Sequence, residues 1–445
     1  MSEEQPAPAP DGPAPETADA PAKRMTVLQA AFIGVGAMVG AGIFALLGAA
    51  GAVAGSAVWL SFLIAGLIAL LQGYSFAKLG ATFPSAGGML TYLAKGFGEG
   101  HITGIVSWLF FMTGSIVVAM VATSFGGYAS AVVADDDPTW AIILGIALVL
   151  VMTILNIVGS RAVARVQAVI VNVVLAILAI FAVVTIANWD PSLLDPAGYP
   201  SLQHIISSVA LTFFAFLGFG VITFTAKDLP RPKRQLPRAM YLALAIATTV
   251  YVAVSLGVFG TLTADEVVKY GATALAEAAK PTLGQAGYVL MVITALFSTT
   301  GAVNASLYPA AGMTRHLASV GQFPRVFGRT LGRRAPVGLV VAALLTIAMM
   351  LLLDLNAIAS LGSAVALLVF SAVTISHFRT YKQTGAKLVI LIVALVATLG
   401  TFIVFTFTTL VNEPRTAIAL VVIVLAATVL DLVWKRIRRI EARTS

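Results

Sequence analysis

Apolar runs of about 20 residues recur from one end of this chain to the other, and each is enough to cross a bilayer core of roughly 30 Å. Inside lipid, a single run closes all its backbone hydrogen bonds only as a helix, so the expected fold is all-α and polytopic. Twelve spans are read, approximately 27–48, 54–78, 101–133, 139–158, 161–187, 204–226, 239–262, 286–316, 337–353, 356–378, 387–410 and 415–434. A composition of 59% hydrophobic and 10% charged residues excludes an ordinary soluble domain, where charged residues make up roughly 25%.

Charge sets the expected orientation. On this map only Lys269, Lys280 and Arg415 fall on the odd-numbered connections after the first span. The other basic residues crowd the N-terminal side, the even-numbered connections and the C-terminal tail, with Arg161/Arg165, Arg231/Lys233/Arg234/Arg238, Arg325/Arg329/Arg333/Arg334 and Lys435/Arg436/Arg438/Arg439 as the main groups. Asp135–Asp137, Asp190, Asp195 and Asp265-Glu266 mark the opposite face. The positive-inside bias therefore predicts both termini in the cytoplasm and an even number of crossings; the expected location is the cytoplasmic membrane. The net charge of +8 follows from that topology. Its basic residues punctuate spans and form no separate domain, so no nucleic-acid partner is expected.

With no cysteine and four histidines, neither disulfides nor a thiol-based metal centre are available. No Ser/His/acid set or phosphate loop is found, so neither enzymatic chemistry nor a cofactor is expected. Residues 1–24, rich in Pro, Ala, Glu and Asp, read as a disordered cytoplasmic tail without the h-region of a signal peptide. Residues 25–378 read as a ten-helix core, 379–434 as two additional spans and 435–445 as a basic cytoplasmic tail.

Two spans carry glycine-rich interruptions: Gly34-Val-Gly-Ala-Met-Val-Gly40-Ala41-Gly42-Ile-Phe44 in span 1, and Phe213-Phe-Ala-Phe-Leu-Gly218-Phe-Gly220 in span 6. Each opens a group of five spans, at about 27–187 and 204–378. An odd count per group turns the second half upside down relative to the first. The expectation is a 5+5 inverted repeat with broken helices 1 and 6 meeting at a site near mid-membrane. A break at Gly40-Ala41-Gly42 would present free N–H groups and the positive end of a helix dipole, suited to a carboxylate. Orphan carbonyls just before it, and around Phe214 to Leu217, would suit an ammonium. Donors on one side and acceptors on the other describe a receptor for the α-amino/α-carboxyl pair of an amino acid. The alternative reading of the glycines is close helix packing.

No Asp, Glu, Lys, Arg or His lies deep within spans 1, 3, 5, 6, 8 or 10, so the expected small-molecule substrate is neutral and small or apolar. Lys78, His101, His204, Asp354, His377 and Asp431 map near span ends, where snorkelling or solvent contact is expected. Asn172, Ser298, Thr299, Thr300 and Asn304 are the notable polar residues within spans. Ser298 and Thr299 are candidate oxygen ligands for a coupling Na+; the alternative is that such hydroxyls bond their own helix. Inter-span segments 79–100, 227–238 and 317–336 are long, 89–94 is apolar enough to lie along the membrane surface, and 264–279 reads as a short helix.

These residues resemble the amino acid–polyamine–organocation (APC) superfamily, most closely its bacterial, cationic-amino-acid-transporter-like permeases. Val39-Gly-Ala-Gly-Ile-Phe44 is similar to the family's G-[STA]-G-I-F. Phe213-Phe-Ala-Phe-Leu-Gly-Phe219 with Ala226-Lys-Asp-Leu-Pro-Arg-Pro-Lys-Arg-Gln-Leu-Pro-Arg-Ala239 is similar to F-F-A-[FY]-x-G-F followed by A-E-E-x-x-N-P-x-R-x-[IL]-P. Arg315-His-Leu-Ala-Ser-Val-Gly-Gln-Phe-Pro324 is similar to R-x-x-x-x-x-x-G-x-x-P. The similarity covers roughly residues 25–335.

The resemblance implies a 5+5 inverted repeat plus two helices. It implies that the Gly40, Ala41 and Gly42 amides hold a substrate carboxylate, and that carbonyls of Met38, Phe214, Ala215 and Leu217 hold the amine. The Phe214 ring would be an inner gate. Val174 stands where proton-coupled relatives carry a span 5 lysine, and Gly220 where many carry an acid. Lys227 and Arg231 stand where an acid and Asn are usual. The familiar route for protons is thereby absent, leaving exchange, uniport or Na+ coupling. The reading is a transporter of neutral amino acids working by alternating access. A carrier of an amine, organic cation or inorganic ion on the same fold is the first alternative, and a non-transporting membrane sensor or subunit is the second.

Overall fold

Helix α1 (Val27–Ala54) starts at a capping box: the Thr26 hydroxyl accepts from the Gln29 amide, and the Gln29 side chain accepts from the Thr26 amide. The computed structural model describes residues 25–444 except 86, 159, 160 and 333. The expected tail at 1–24, and Arg333 of the basic group between spans 8 and 9, lie outside the described residues.

After α2 (Val58–Thr82) come the short α3 (Met89–Phe97), then α4 (His101–Val133), α5 (Pro138–Val158) and α6 (Arg161–Ala187). The second half holds α7 (Leu202–Phe214), a 3-10 segment at Leu217–Lys227, α8 (Pro232–Phe259), the short α9 (Ala264–Tyr270) and α10 (Ala274–Glu277) and then α11 (Lys280–Ser319). It closes with α12 (Val337–Leu352) and α13 (Leu355–Thr384). Helices α14 (Leu388–Phe405) and α15 (Pro414–Thr444) follow, and a two-residue β-ladder pairs Thr330–Leu331 with Ala335–Pro336.

All twelve expected spans fall on helices. Ten helical stretches among the described residues are long and apolar enough to cross a membrane. One of these, Gly42–Thr82, joins the second half of α1 to α2 through a 3-10 turn, while Val27–Gly40 and Val337–Leu352 are shorter apolar helices. The 16 residues of α12 measure about 24 Å, less than a bilayer core. Of the tail expected at 435–445, residues 435–444 continue α15 as helix.

The break expected in span 1 is not there. Helix α1 is continuous through Gly40-Ala41-Gly42, and its glycines serve the packing alternative. A Cβ on Gly40 would collide with the Ser298 carbonyl oxygen and the Ala302 methyl. On Gly42 it would lie 2.5 Å from the Ala215 Cβ and 2.6 Å from the Tyr251 hydroxyl. Three helices approach α1 so closely that only hydrogen fits at these positions.

Packing repeats between the halves. Helix α1 lies on α7 and its 3-10 extension, α2 on α8, and α4 on α11. The α4–α5 pair is matched by α11–α12, α1–α6 by α7–α13, and α1–α8 by α7–α2. Shifting each element by five spans maps one set of contacts onto the other, as a repeat requires. Helix α3 lies on α13 with Met89, Leu90, Tyr92 and Leu93 buried, so the apolar stretch at 89–94 docks on protein.

Two span-end residues expected to reach water are fully buried. Asp431 on α15 lies 2.6 Å from His101 Nδ1 and 2.9 Å from Lys435 Nζ. His377 on α13 lies 2.8 Å from the Ser75 hydroxyl and 2.8 Å from that of Thr384. One turn away, Gln72 on α2 donates to Thr398 of α14 at 2.6 Å and accepts from Thr374 of α13 at 2.8 Å. These three buried groups persist because each has a partner on a neighbouring helix. This network ties the two additional helices to the core. Gln72→Leu should cost about 1 kcal/mol, since the threonine hydroxyls retain acceptors on their own helices. A thermal melt of purified protein should register a Tm about 2 °C lower.

Candidate functional site

The interruption in span 6 is present. Helix α7 ends at Phe214, and the chain continues as 3-10 turns: the Ala215 amide bonds Thr212 O, Phe216 bonds Phe213 O and Phe219 bonds Phe216 O. The Tyr251 hydroxyl of α8 donates to the Ala215 carbonyl at 3.1 Å, satisfying an acceptor freed by the break. The Thr223 and Thr225 hydroxyls donate to Gly220 O and Ile222 O further along.

Aromatic rings pin this backbone. Phe213 and Phe219 meet Phe370 of α13 at 5.7 and 5.3 Å between centroids, and Phe216 meets Tyr251 at 5.1 Å. At Gly218 the main chains of the two key elements touch. A Cβ there would lie 2.6 Å from both the Ala37 carbonyl carbon and the Met38 nitrogen.

A cavity of about 90 Å³ adjoins the break. Ala37 of α1 and Phe214, Leu217, Gly218 and Gly220 form one wall; α4 from Phe110 to Val118 and α11 from Ser306 to Met313 form most of the remainder. Among the described residues, none that lines it is charged. Apart from their own local backbone, Gly114 and Gly220 have nothing within 4 Å of where a Cβ would stand, so their missing side chains leave open space. Phe214 is part of the lining, with its ring packed on Gly362.

The cavity lies on the N-terminal side of α1. On its C-terminal side the same helix is sealed. Phe44 meets Tyr128 edge-on at 6.2 Å, and Ser124 and Ser208 donate to Phe44 O and Ala50 O. A Cβ on Gly48 would lie 2.8 Å from Gly271 Cα. The short helices α9 and α10 cover this end of α1, with Val267, Ala274, Leu275 and Ala276 buried.

The expected site residues thus separate. Phe214 and Leu217 line the cavity. Ala215 is buried with its carbonyl engaged by Tyr251. Met38, Gly40, Ala41 and Gly42 belong to an unbroken helix, so the free amides expected of the last three are not presented. Thr299 donates to Ala295 O at 2.6 Å and Leu296 O at 3.2 Å, the own-helix bonding weighed against an ion site, while the Ser298 carbonyl faces Gly40. Val174 is buried and Gly220 is a cavity residue.

Sequence reasoning missed Tyr251 and Gly114. Tyr251 was findable, because the apolar stripe Leu236, Met240, Ala243, Leu244, Ala247, Val254 and Val258 places it on the buried face of α8. Gly114 carries no local signal.

An uncharged cavity at a broken helix in a multi-span bundle defines a membrane transport protein of the broken-helix kind. Residues 25–430 match the family model for amino acid permeases, and the chain belongs to that family. It is therefore an integral, multi-pass APC-type permease rather than an enzyme. It is 32% identical to the inner membrane transport protein YbaT of Escherichia coli (strain K12) over 406 residues, 91% of this chain and 94% of that one. Over 384 residues it is 28% identical to the vacuolar cationic amino acid transporter 4 of Arabidopsis thaliana, covering 80% and 62% of the two chains. Over 248 residues it is 28% identical to the branched-chain amino acid permease BcaP of Bacillus subtilis (strain 168), covering 50% and 51%.

Tyr251→Phe leaves the Ala215 carbonyl buried without its donor, at a cost of about 1–3 kcal/mol. Solute uptake by that variant should fall roughly tenfold while membrane insertion, followed by fluorescence size exclusion, is retained. On the sealed side, the Glu266 carboxylate accepts from the Thr263 amide and hydroxyl, which holds it below its ordinary value of 4.5. A lowered value in the folded state stabilises above pH 4.5 and is lost as pH falls through the folded value. Amide exchange in Ala264–Tyr270, corrected for intrinsic rates, should accelerate below that pH.

Proposed function

We propose that this permease carries neutral amino acids with small or apolar side chains, by exchange or secondary active transport with alternating access between the two halves. The observation that carries the proposal is the cavity at the α7 break, which has no charged lining residue and so nothing to pair with an ionised side chain. The 5+5 packing correspondence supports a rocking repeat around it. With both termini in the cytoplasm, as the charge distribution favours, the cavity opens inward and α9–α10 close the outer side.

The Phe214 and Leu217 carbonyls, with those of Met38 and Ala215, are the proposed amine acceptors, and the Phe214 ring is the gate. Because α1 is wound through Gly40–Gly42, holding a carboxylate there requires this turn to open. Two glycines make such an opening inexpensive. Gly114 and Gly220 supply room for the substrate side chain. Ser298 and Thr299 are the proposed Na+ ligands, with the Thr299 hydroxyl rotating away from its own helix. The continuous α1 favours a second reading, in which an amine without a carboxylate binds at the carbonyls alone.

Purified protein in liposomes should exchange or accumulate a labelled neutral amino acid saturably. Absence of saturable flux across a full amino-acid panel refutes the proposal, and tighter competition by amines than by parent amino acids selects the second reading. No lining residue titrates between pH 5 and 8, so flux should vary little over that range. Gly220→Asp places a carboxylate in open space and should shift preference toward cationic substrates, measured as at least a tenfold change in the Lys-to-Ala uptake ratio.

A further inference from the structure

We propose that the groove between the C-terminal end of α2 and the N-terminal end of α8 binds the phosphate headgroup of an anionic phospholipid. Ala81, Thr82 and Pro84 form one side, and Arg231, Pro232, Lys233 and Arg234 form the other. The lining carries three cations and no carboxylate. Arg231, Lys233 and Arg234 are exposed, and their side chains make no hydrogen bond or ion pair with the described residues. Nearby Lys78 is turned to the Gly385 carbonyl at 3.2 Å and leaves the groove's charge unanswered.

The outer face of α8 continues the same path into the bilayer. Arg234, Arg238, Tyr241, Leu242, Ala245 and Thr249 are all exposed and recur at helical spacing. Two cations come first, then an amphipathic ring, then apolar and small residues. That sequence follows a lipid from phosphate through the interfacial layer to the acyl chain. The opposite face of α8 is buried against α1, α2 and α6, so the stripe belongs to the protein's outer wall. A bias of positive charge on one side requires only a count of cations. Grouping them in a groove above a Tyr–Leu track does more, and it fits a phospholipid better than a water-soluble anion, which would leave the track unused.

The test is a thermal-shift titration of the full-length protein in neutral detergent with phosphatidylglycerol, phosphatidylcholine or inorganic phosphate. Phosphatidylglycerol should raise the Tm well above the phosphatidylcholine control, and phosphate alone at equal concentration should not. Arg234→Gln/Arg238→Gln should weaken the apparent phosphatidylglycerol affinity roughly tenfold or more, at about 1 kcal/mol per cation near a membrane surface. Arg436→Gln/Arg439→Gln on α15 removes the same charge elsewhere and should change it less than twofold. Equal loss in both variants, no preference for phosphatidylglycerol, or equal stabilisation by free phosphate would each overturn the assignment. If the first variant is poorly folded, Lys233→Gln read by native mass spectrometry of retained phosphatidylglycerol gives the same decision.

Discussion

The main chain of α1 at Ala37–Met38 touches the main chain of the broken element at Gly218, and the arrangement of the site follows from that contact. Two backbones meet this closely inside an apolar bundle only where one lacks a side chain and the other has its polar groups satisfied within a helix. Helix α1 meets the second condition by staying wound. The 3-10 segment meets it through short-range turns, threonine hydroxyls and Tyr251. The break therefore leaves polar backbone at the edge of a cavity without exposing it to lipid.

Asymmetry about this contact gives the molecule its direction. On one side Gly114 and Gly220 hold space open; on the other, glycines close it, with Gly48 against Gly271. The same residue type makes a cavity where nothing opposes it and a seal where a neighbour fills the gap. Ring packing of Phe213, Phe216 and Phe219 fixes the break between these regions. The buried pairs at Asp431 and His377 tie α15 to α4 and α13 to α2, away from the residues that line the cavity.

Much of this was legible in the residues. The helix positions followed from apolar run length, and the break in span 6 from Phe213–Gly220. The low charge of the site followed from the scarcity of ionisable residues within spans. The equivalent reading of Gly40–Gly42 failed because a glycine cluster announces only that something approaches closely. Whether the visitor is a ligand at an open turn or a neighbouring helix at a closed one depends on residues about 170 to 260 positions away, Ala215, Tyr251, Ser298 and Ala302 among them. Asp431 and His377 were misplaced for a related reason. Distance from a span end says nothing about the partners another helix brings to that depth.

By itself the sequence determined a helical bundle for lipid, a charge-poor interior and one interrupted span, because solvent and backbone hydrogen bonding act on each run locally. Only the tertiary structure decided which glycines pack and which leave room, which carbonyl Tyr251 occupies, and on which side of the break the cavity lies. Those outcomes depend on surfaces from separate helices being pressed together, and no local pattern encodes the shape of the opposing surface.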